Sequence, residues 1–175
     1  DILLDAMRII QKNKISKKRI CLKLIGDGPL KESLINKVKS KKISDVSFHT
    51  PVQKNDIPKV TSCADAFVIL VPRLPELYKY GISMNKIFDY LACKRPTLIA
   101  TDYYPNPISE SGAGYSVCSG DPASLANAIN RLALLSNKER NQMAIDGFEY
   151  LKQNHCFNFL SRKLASVFDN CILSK

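Results

Sequence analysis

Residues 66–71 read Ala-Phe-Val-Ile-Leu-Val, an apolar run that contains no polar side chain. A strand buried on both faces of a parallel sheet has such a run, whereas a strand with one face in water alternates apolar and polar residues. Other β-rich segments lie at residues 20–25, 46–48, 96–100 and 112–117. Segments with helical spacing of apolar residues separate them. The sequence therefore predicts an α/β fold, a Rossmann-like three-layer α/β/α domain with helices on both faces of one open parallel sheet.

Composition and charge restrict the class of protein. The chain has 175 residues, of which 45% are apolar and 24% charged, which is ordinary globular usage and excludes disordered and collagen-like classes. No apolar run approaches the ~20 residues of a membrane-spanning helix. The net charge is +10. We expect one cytoplasmic domain over residues 1–175, whose basic surface contacts anionic membrane peripherally. We expect no nucleic-acid partner, because neither an aromatic-lined sheet nor a recognition helix is evident.

Cysteine usage indicates neither a metal site nor a disulfide framework. The six cysteines include no Cys-x-x-Cys pair, and only two histidines accompany them, so zinc-ligand spacing is absent. Most of the cysteines lie in apolar segments, as Cys21 and Cys63 do. We therefore predict buried free thiols in a reducing cytoplasm.

The loop after the central apolar run leads into a helix with polar residues at its start. Residues 80–86 read Tyr-Gly-Ile-Ser-Met-Asn-Lys, and we predict that Ser83 caps this helix. Free backbone N–H groups and the positive end of the helix dipole favour an anion there, and Lys86 adds a full positive charge. Asp89, one turn further, can accept hydrogen bonds from vicinal hydroxyls. The pattern is that of a nucleoside diphosphate site, or of a plain cap with solvated surface charges.

In open parallel sheets, ligands bind where the carboxyl ends of the strands lead into helices. That rule selects three loops here, at residues 26–29, 50–55 and 73–85.

The segment 81–92 reads Gly-Ile-Ser-Met-Asn-Lys-Ile-Phe-Asp-Tyr-Leu-Ala. With Pro-Thr-Leu-Ile-Ala at 96–100, it resembles the donor-site motif of the GT-B glycosyltransferases of family 4, the glycosyl transferases group 1. The resemblance covers nearly the whole chain, because further landmarks follow in family order, at residues 24–29, 64–66, 112–115 and 121–122. The chain is most similar to the branch with an Asn-Lys-(Leu/Ile)-Phe-Asp-Tyr core. Many members of that branch transfer aminosugars in bacterial surface-polysaccharide assembly.

The resemblance implies a role for each matching position. The residues implied in donor diphosphate and sugar binding are Gly81, Ile82, Ser83, Met84, Asn85 and Lys86. Asp89 matches the second acid of the family's Glu-x7-Glu motif, which binds the ribose. The residues that frame the base are Thr50, Pro51, Val52 and Gln53. Gly26 and Gly28 match glycines that let the backbone approach the ligand.

Two positions depart from the family pattern. The first acid of the Glu-x7-Glu motif, which faces the donor sugar, falls on Gly81, so that carboxylate is absent. Lys94 stands where a glycine normally ends the helix in a left-handed conformation, which costs a lysine about 1 kcal/mol.

The resemblance also implies an activity and a domain organisation. The chain would be the nucleotide-sugar-binding C-terminal half of a GT-B enzyme, starting after the first strand of that half and lacking the N-terminal acceptor domain. Residues 157–175 would form a helix that packs on that domain. The intact enzyme would transfer a hexosyl or N-acetylaminosugar group from a nucleoside diphosphate sugar, with UDP expected, to a lipid-linked or glycan acceptor in capsule or O-antigen biosynthesis. Transfer would retain configuration and need neither a metal nor another cofactor.

No catalytic residue is assigned to this half, which alone would bind the nucleotide without turnover. Two alternatives remain open. One is another GT-B enzyme, such as a nucleotide-sugar epimerase. The other is a non-catalytic basic α/β module that binds nucleic acid.

Overall fold

Each β-rich segment of the sequence contains one strand. The computed structural model describes residues 1–13 and 18–173. Its strands are β1 (Leu22–Ile25), β2 (Val46–His49), β3 (Phe67–Leu70), β4 (Thr97–Ala100) and β5 (Gly114–Val117). Its α-helices are α1 (Ile2–Asn13), α2 (Lys31–Ser40), α3 (Ile57–Ser62), α4 (Pro75–Tyr78), α5 (Asn85–Ala92), α6 (Pro107–Ser111), α7 (Pro122–Leu134), α8 (Asn137–Asn154) and α9 (Phe157–Leu173).

All strand pairs are parallel, which confirms the predicted α/β class. β1 pairs with β2, and β3, β4 and β5 pair in that order. The prediction of one continuous sheet is wrong for the described residues, because they form a two-stranded and a three-stranded sheet. No described strand supplies backbone hydrogen bonds between the two. The sheets nevertheless share one apolar cluster around α1, which Leu24 of β1 and Val68 of β3 both contact.

Helices cover both faces of the three-stranded sheet. The prediction that the run at 66–71 is buried on both faces holds only in part, because β3 buries Phe67 and Ile69 but leaves Leu70 exposed. All four residues of β4 are buried. Leu98 packs against Leu132 of α7 on one face. Ile99 packs with Ile87 of α5 on the other. The helix that carries the candidate site is therefore fixed to the centre of this sheet.

The prediction of buried cysteines is wrong for most of them. Five are exposed and Cys93 is half-buried. The reason is clearest at Cys21. Side chains along an extended segment point alternately to its two faces. Leu22 and Leu24 are half-buried on one face, whereas Cys21 and Lys23 lie on the other face and are exposed. Apolar neighbours in the sequence therefore do not determine whether a cysteine side chain is buried.

α9 carries a row of large apolar side chains that are exposed. Its sequence is amphipathic, as predicted, and only Phe159 among its aromatic residues is half-buried. Residues 174–175 of the predicted terminal helix lie outside the described residues. The exposed apolar side chains are Phe157, Leu160, Leu164, Val167, Phe168 and Ile172. Across residues 1–13 and 18–173, no helix is both long and apolar enough to cross a membrane.

Candidate functional site

Alternate residues anchor the segment that enters α5. Ile82 is 7% exposed and Met84 is half-buried, and both pack into the cluster beneath the three-stranded sheet. Gly81, Ser83 and Asn85, which alternate with them, are exposed. The two apolar residues therefore hold the segment in place, and the hydroxyl and amide side chains are left to face solvent.

The first turn of α5 is not capped by a side chain. Met84 is the N-cap residue, with extended dihedrals (φ −97°, ψ 125°) and no side-chain hydrogen bond to the helix. The prediction that Ser83 caps the helix is wrong, because the chain stays extended through Met84 and the helix begins at Asn85. The first N–H groups of a helix have no intrahelical acceptor, and the positive end of its dipole lies there. This end of α5 can therefore accept an anion.

Three polar side chains share one face of α5. At 100° per residue, Asn85, Lys86 and Asp89 fall within an arc of about 100°, and all three are exposed. Neither Lys86 nor Asp89 forms an ion pair with another described residue. The opposite face is buried through Ile87 and Leu91. The arrangement presents a cation, an amide and a carboxylate at the helix end to one incoming ligand.

Tyr90 fixes the same helix against the sheet. Its ring stacks on Phe67 of β3, with centroids 4.1 Å apart. Burial raises the pKa of Tyr90, and the nearby Asp89 carboxylate adds to the shift. Tyr90 therefore remains a neutral packing residue beside the polar residues of the site.

Gly81 has a conformation that explains why no acid stands there. Its φ is +110°, in a region that L side chains rarely adopt. No atom lies within 4 Å of where its Cβ would be, so the constraint is backbone strain rather than a clash. A glutamate at this position would need a different path for the segment that leads to Ile82.

The second group of predicted residues lies at the end of the two-stranded sheet. Because Ile25 pairs with His49, the turn at residues 26–28 and the segment 50–53 leave the sheet side by side. The Gly26 N–H donates to the His49 carbonyl at 3.3 Å. Gly26 and Gly28 have φ values of +143° and +159°. Thr50, Pro51, Val52 and Gln53 are all exposed.

The structure thus presents the predicted site residues in two groups. Residues 26–28 and 50–53 are neighbours at the ends of β1 and β2, and residues 81–89 follow β3. No hydrogen bond or ion pair between described residues joins the two groups.

A polar network that was not predicted from the sequence braces the loop before α5. Arg73 Nε lies 2.5 Å from Asp102 Oδ2, and its Nη2 donates to the Ser119 carbonyl at 2.8 Å. Asp102 Oδ1 accepts the Ser119 N–H at 2.9 Å. Ser119 Oγ donates to the Val71 carbonyl at 2.8 Å. The network ties together the carboxyl ends of β3, β4 and β5.

A sequence signal for this network existed. Arg73 lies three residues after β3, while Asp102 and Ser119 each lie two residues after β4 and β5. Polar residues at a similar offset from neighbouring parallel strands reach the same sheet edge. The network fixes where the loop that carries Gly81 leaves the sheet.

Exposed polar side chains at the carboxyl ends of parallel strands, beside an uncapped helix start, are typical of α/β domains that bind anionic ligands at that end of the sheet. The sequence model of the family described as Glycosyl transferases group 1 matches residues 1–134, and the chain belongs to this family. No curated protein matches the chain significantly.

Solved structures resemble the chain over nearly its whole length. Sucrose-phosphate synthase from Thermosynechococcus elongatus is 15% identical, with a TM-score of 0.68, covering 100% of this chain and 44% of that one. A mutant of TarM from S. aureus, in complex with Fondaparinux, alpha-GlcNAc-glycerol and UDP, is 14% identical (TM-score 0.73; 96% and 32% covered). HepE from Anabaena, in complex with UDP, is 16% identical (TM-score 0.71; 97% and 44% covered).

At such identities these structures establish the fold alone, and the predicted α/β fold of a GT-B domain is confirmed. The chain spans less than half the length of each of these proteins.

Proposed function

We propose that this chain is the donor-binding domain of a glycosyltransferase that transfers a hexosyl or N-acetylaminosugar group from a UDP-sugar. The observation that carries the proposal is the exposed set of Asn85, Lys86 and Asp89 on one face of the uncapped end of α5. In this proposal the diphosphate binds the first-turn N–H groups and Lys86. Ser83 and Asn85 hydrogen-bond to phosphate or sugar oxygens.

Asp89 is the proposed ribose ligand. In a nucleoside diphosphate the ribose adjoins the phosphates, and Asp89 lies one helical turn from the anion-binding end of α5. A carboxylate accepts two hydrogen bonds at once, which suits vicinal hydroxyls. With the ribose at Asp89, the base lies toward residues 50–53. Gly26 and Gly28 have no side chain, so the ligand can approach the backbone there. TarM and HepE were each solved with UDP, which supports the choice of nucleotide.

The chemistry proposed for this domain is electrostatic. When the glycosidic bond to the diphosphate breaks, negative charge develops on the leaving group. Helix-terminal N–H groups and the Lys86 ammonium stabilise that charge without reorganising. We assign no general acid or base to this chain. From the family resemblance, we infer transfer with retention of configuration and without a bound metal.

We further propose that the domain is part of a longer enzyme. The two sheets pack on the same helix α1, and one parallel strand between β1 and β3 would join them into a single sheet. Such a strand would satisfy backbone N–H and C=O groups on the facing strand edges. The exposed apolar row of α9 is the proposed contact with an N-terminal acceptor domain.

The acceptor and the setting rest on the resemblance. We propose a lipid-linked or glycan acceptor in surface-polysaccharide biosynthesis. The proposed location is the cytoplasm, with peripheral contact to an anionic membrane, which the net charge of +10 favours.

Calorimetric titration with UDP, GDP and ADP tests the proposal. We expect selective binding of UDP, weakened about tenfold or more by Asp89→Ala, because a hydrogen bond to a charged group contributes about 1.5–3 kcal/mol. Asp65→Ala is the matched control, since Asp65 is also exposed but precedes β3, at the opposite end of the strand from the site. Nucleic-acid binding that falls with salt and ignores Asp89→Ala contradicts the proposal. The proposal is also contradicted if UDP binds neither to this chain nor to a protein that carries, in addition, the segment N-terminal to it.

A further inference from the structure

Lys31 occupies a position that is locally unfavourable for a cation. It is the first residue of α2, where the helix dipole has its positive end. The other basic residues of this helix, Lys37 and Lys39, lie in its last turn, where cations are favoured. A residue that breaks a local rule points to a compensating role elsewhere in the structure.

The Lys31 ammonium bridges the ends of two strands. Its Nζ donates to the Gly26 carbonyl at 2.9 Å and to the His49 carbonyl at 3.4 Å. It also lies 3.9 Å from Asp27 Oδ1. Gly26 directly follows β1 and His49 ends β2, so one side chain contacts the exits of both strands. The side chain is only 26% exposed, which shows that it is held against the protein.

The turn after β1 needs such a contact to have one conformation. Gly26 and Gly28 lack side chains and adopt positive φ, so the backbone alone restrains them weakly. Asp27 Oδ1 accepts the Gly28 N–H at 2.9 Å, which orders the turn internally. Between the exits of β1 and β2, the hydrogen bond from the Gly26 N–H to the His49 carbonyl is long, at 3.3 Å. A second link between the two strand exits runs through Lys31, whose bonds to the Gly26 and His49 carbonyls measure 2.9 and 3.4 Å.

We propose that Lys31 is a positioning residue that determines the base selectivity of the donor site. It acts by fixing the turn at residues 26–28 relative to the segment 50–53. The inference rests on the proposed function, in which these two segments lie against the nucleoside. Lys31 touches no ligand in this proposal. Its effect is to keep the two walls of the base pocket at one separation, so that a pyrimidine and a purine are distinguished.

Paired titrations with UDP and ADP test the inference. In Lys31→Met, which keeps the aliphatic stem, we expect the ratio of the ADP and UDP dissociation constants to fall at least about fivefold, from the loss of positioning. Lys31→Arg keeps the charge and several donors, so it should restore most of the ratio. Lys23→Met is the control, because Lys23 is an exposed lysine on β1 itself. A purely structural role would lower the melting temperature of Lys31→Met and leave the ratio unchanged.

Amide hydrogen exchange gives a readout that needs no nucleotide. We expect exchange at residues 26–28 and 50–53 to rise about tenfold or more in Lys31→Met, with β4 unaffected. Unchanged exchange overturns the positioning role, whatever the nucleotide results. If the wild-type protein selects UDP and Lys31→Met keeps the same ratio, the selectivity role is overturned while the proposed function stands. If neither this chain nor a protein that also carries the segment preceding it binds a nucleotide, the proposed function fails and the selectivity role fails with it.

Discussion

The network of Arg73, Asp102 and Ser119 joins three strand ends, and its energetic coupling can be predicted from its geometry. Arg73→Met removes the guanidinium and keeps most of the aliphatic stem. It deletes the ion pair to Asp102 and the 2.8 Å bond to the Ser119 carbonyl. Asp102→Ala deletes the same ion pair and also the acceptor of the Ser119 N–H. The two changes therefore share one contact and differ in what they leave unpaired.

The magnitudes follow from exposure. The Arg73 side chain is 65% exposed, so its ion pair has the modest value of a surface pair, and we expect Arg73→Met to cost about 1 kcal/mol. Ser119 is 6% exposed, so Asp102→Ala leaves a buried N–H without its acceptor and should cost about 2 kcal/mol. Because the variants share the ion pair but not the bond from Arg73 to the Ser119 carbonyl, the double variant should cost about 0.5 kcal/mol less than their sum.

Urea unfolding of the four proteins in the double-mutant cycle measures this coupling. Lys79→Met is the control, because its pair with Glu76 is a 3.7 Å contact within one exposed turn, and we expect a change within about 0.5 kcal/mol. If the cost of the double variant equals the sum of the two single costs to within about 0.3 kcal/mol, the network does not couple the three strand ends.

Further predictions concern packing and pH. Gly114→Ala should destabilise the chain by at least about 2 kcal/mol in urea unfolding, because its Cβ would overlap the backbone carbonyl of Thr97. Burial lowers the pKa of His155 from its ordinary value of 6.5. The contribution of this group to the unfolding free energy should therefore be constant above about pH 7.5 and fall as the pH drops through about 6.5, and His155→Phe should show a smaller fall over the same range. Burial, with the hydrogen bond to Glu110, raises the pKa of Tyr150 to about 12. That stabilisation is present below about pH 10 and lost between pH 10 and 12, a loss that Tyr150→Phe should reduce in alkaline unfolding.

Features set by periodicity could be predicted from the sequence. The apolar run at residues 66–71 became a strand with helices on both sides, and α5 buried Ile87 and Leu91 while it exposed its polar face. Lys94 adopts the left-handed conformation of the family's glycine, at φ +51°, and its Nζ lies 4.1 Å from the centroid of the Phe148 ring, a contact that offsets part of the strain.

Features set by contacts between distant residues could not be predicted in the same way. Whether two strands pair depends on backbone groups far apart in sequence, so the separation of β1 from β3 had no local cue. Ser83 had the chemistry of a cap, but burial of Ile82 and Met84 kept the chain extended past it. The bridging role of Lys31 depends on carbonyls at two strand ends, which only the register of β1 and β2 brings together.

The central claim is that Asp89 binds the ribose of a nucleoside diphosphate held at the start of α5. Titrating UDP and 2′-deoxy-UDP against the wild type and Asp89→Ala tests it most directly, in whichever form of the protein binds UDP. The wild type should prefer UDP by about tenfold, because the deoxy analogue lacks one hydroxyl that donates to the carboxylate. Asp89→Ala should bind both nucleotides equally. An undiminished preference for UDP in Asp89→Ala would contradict the assignment.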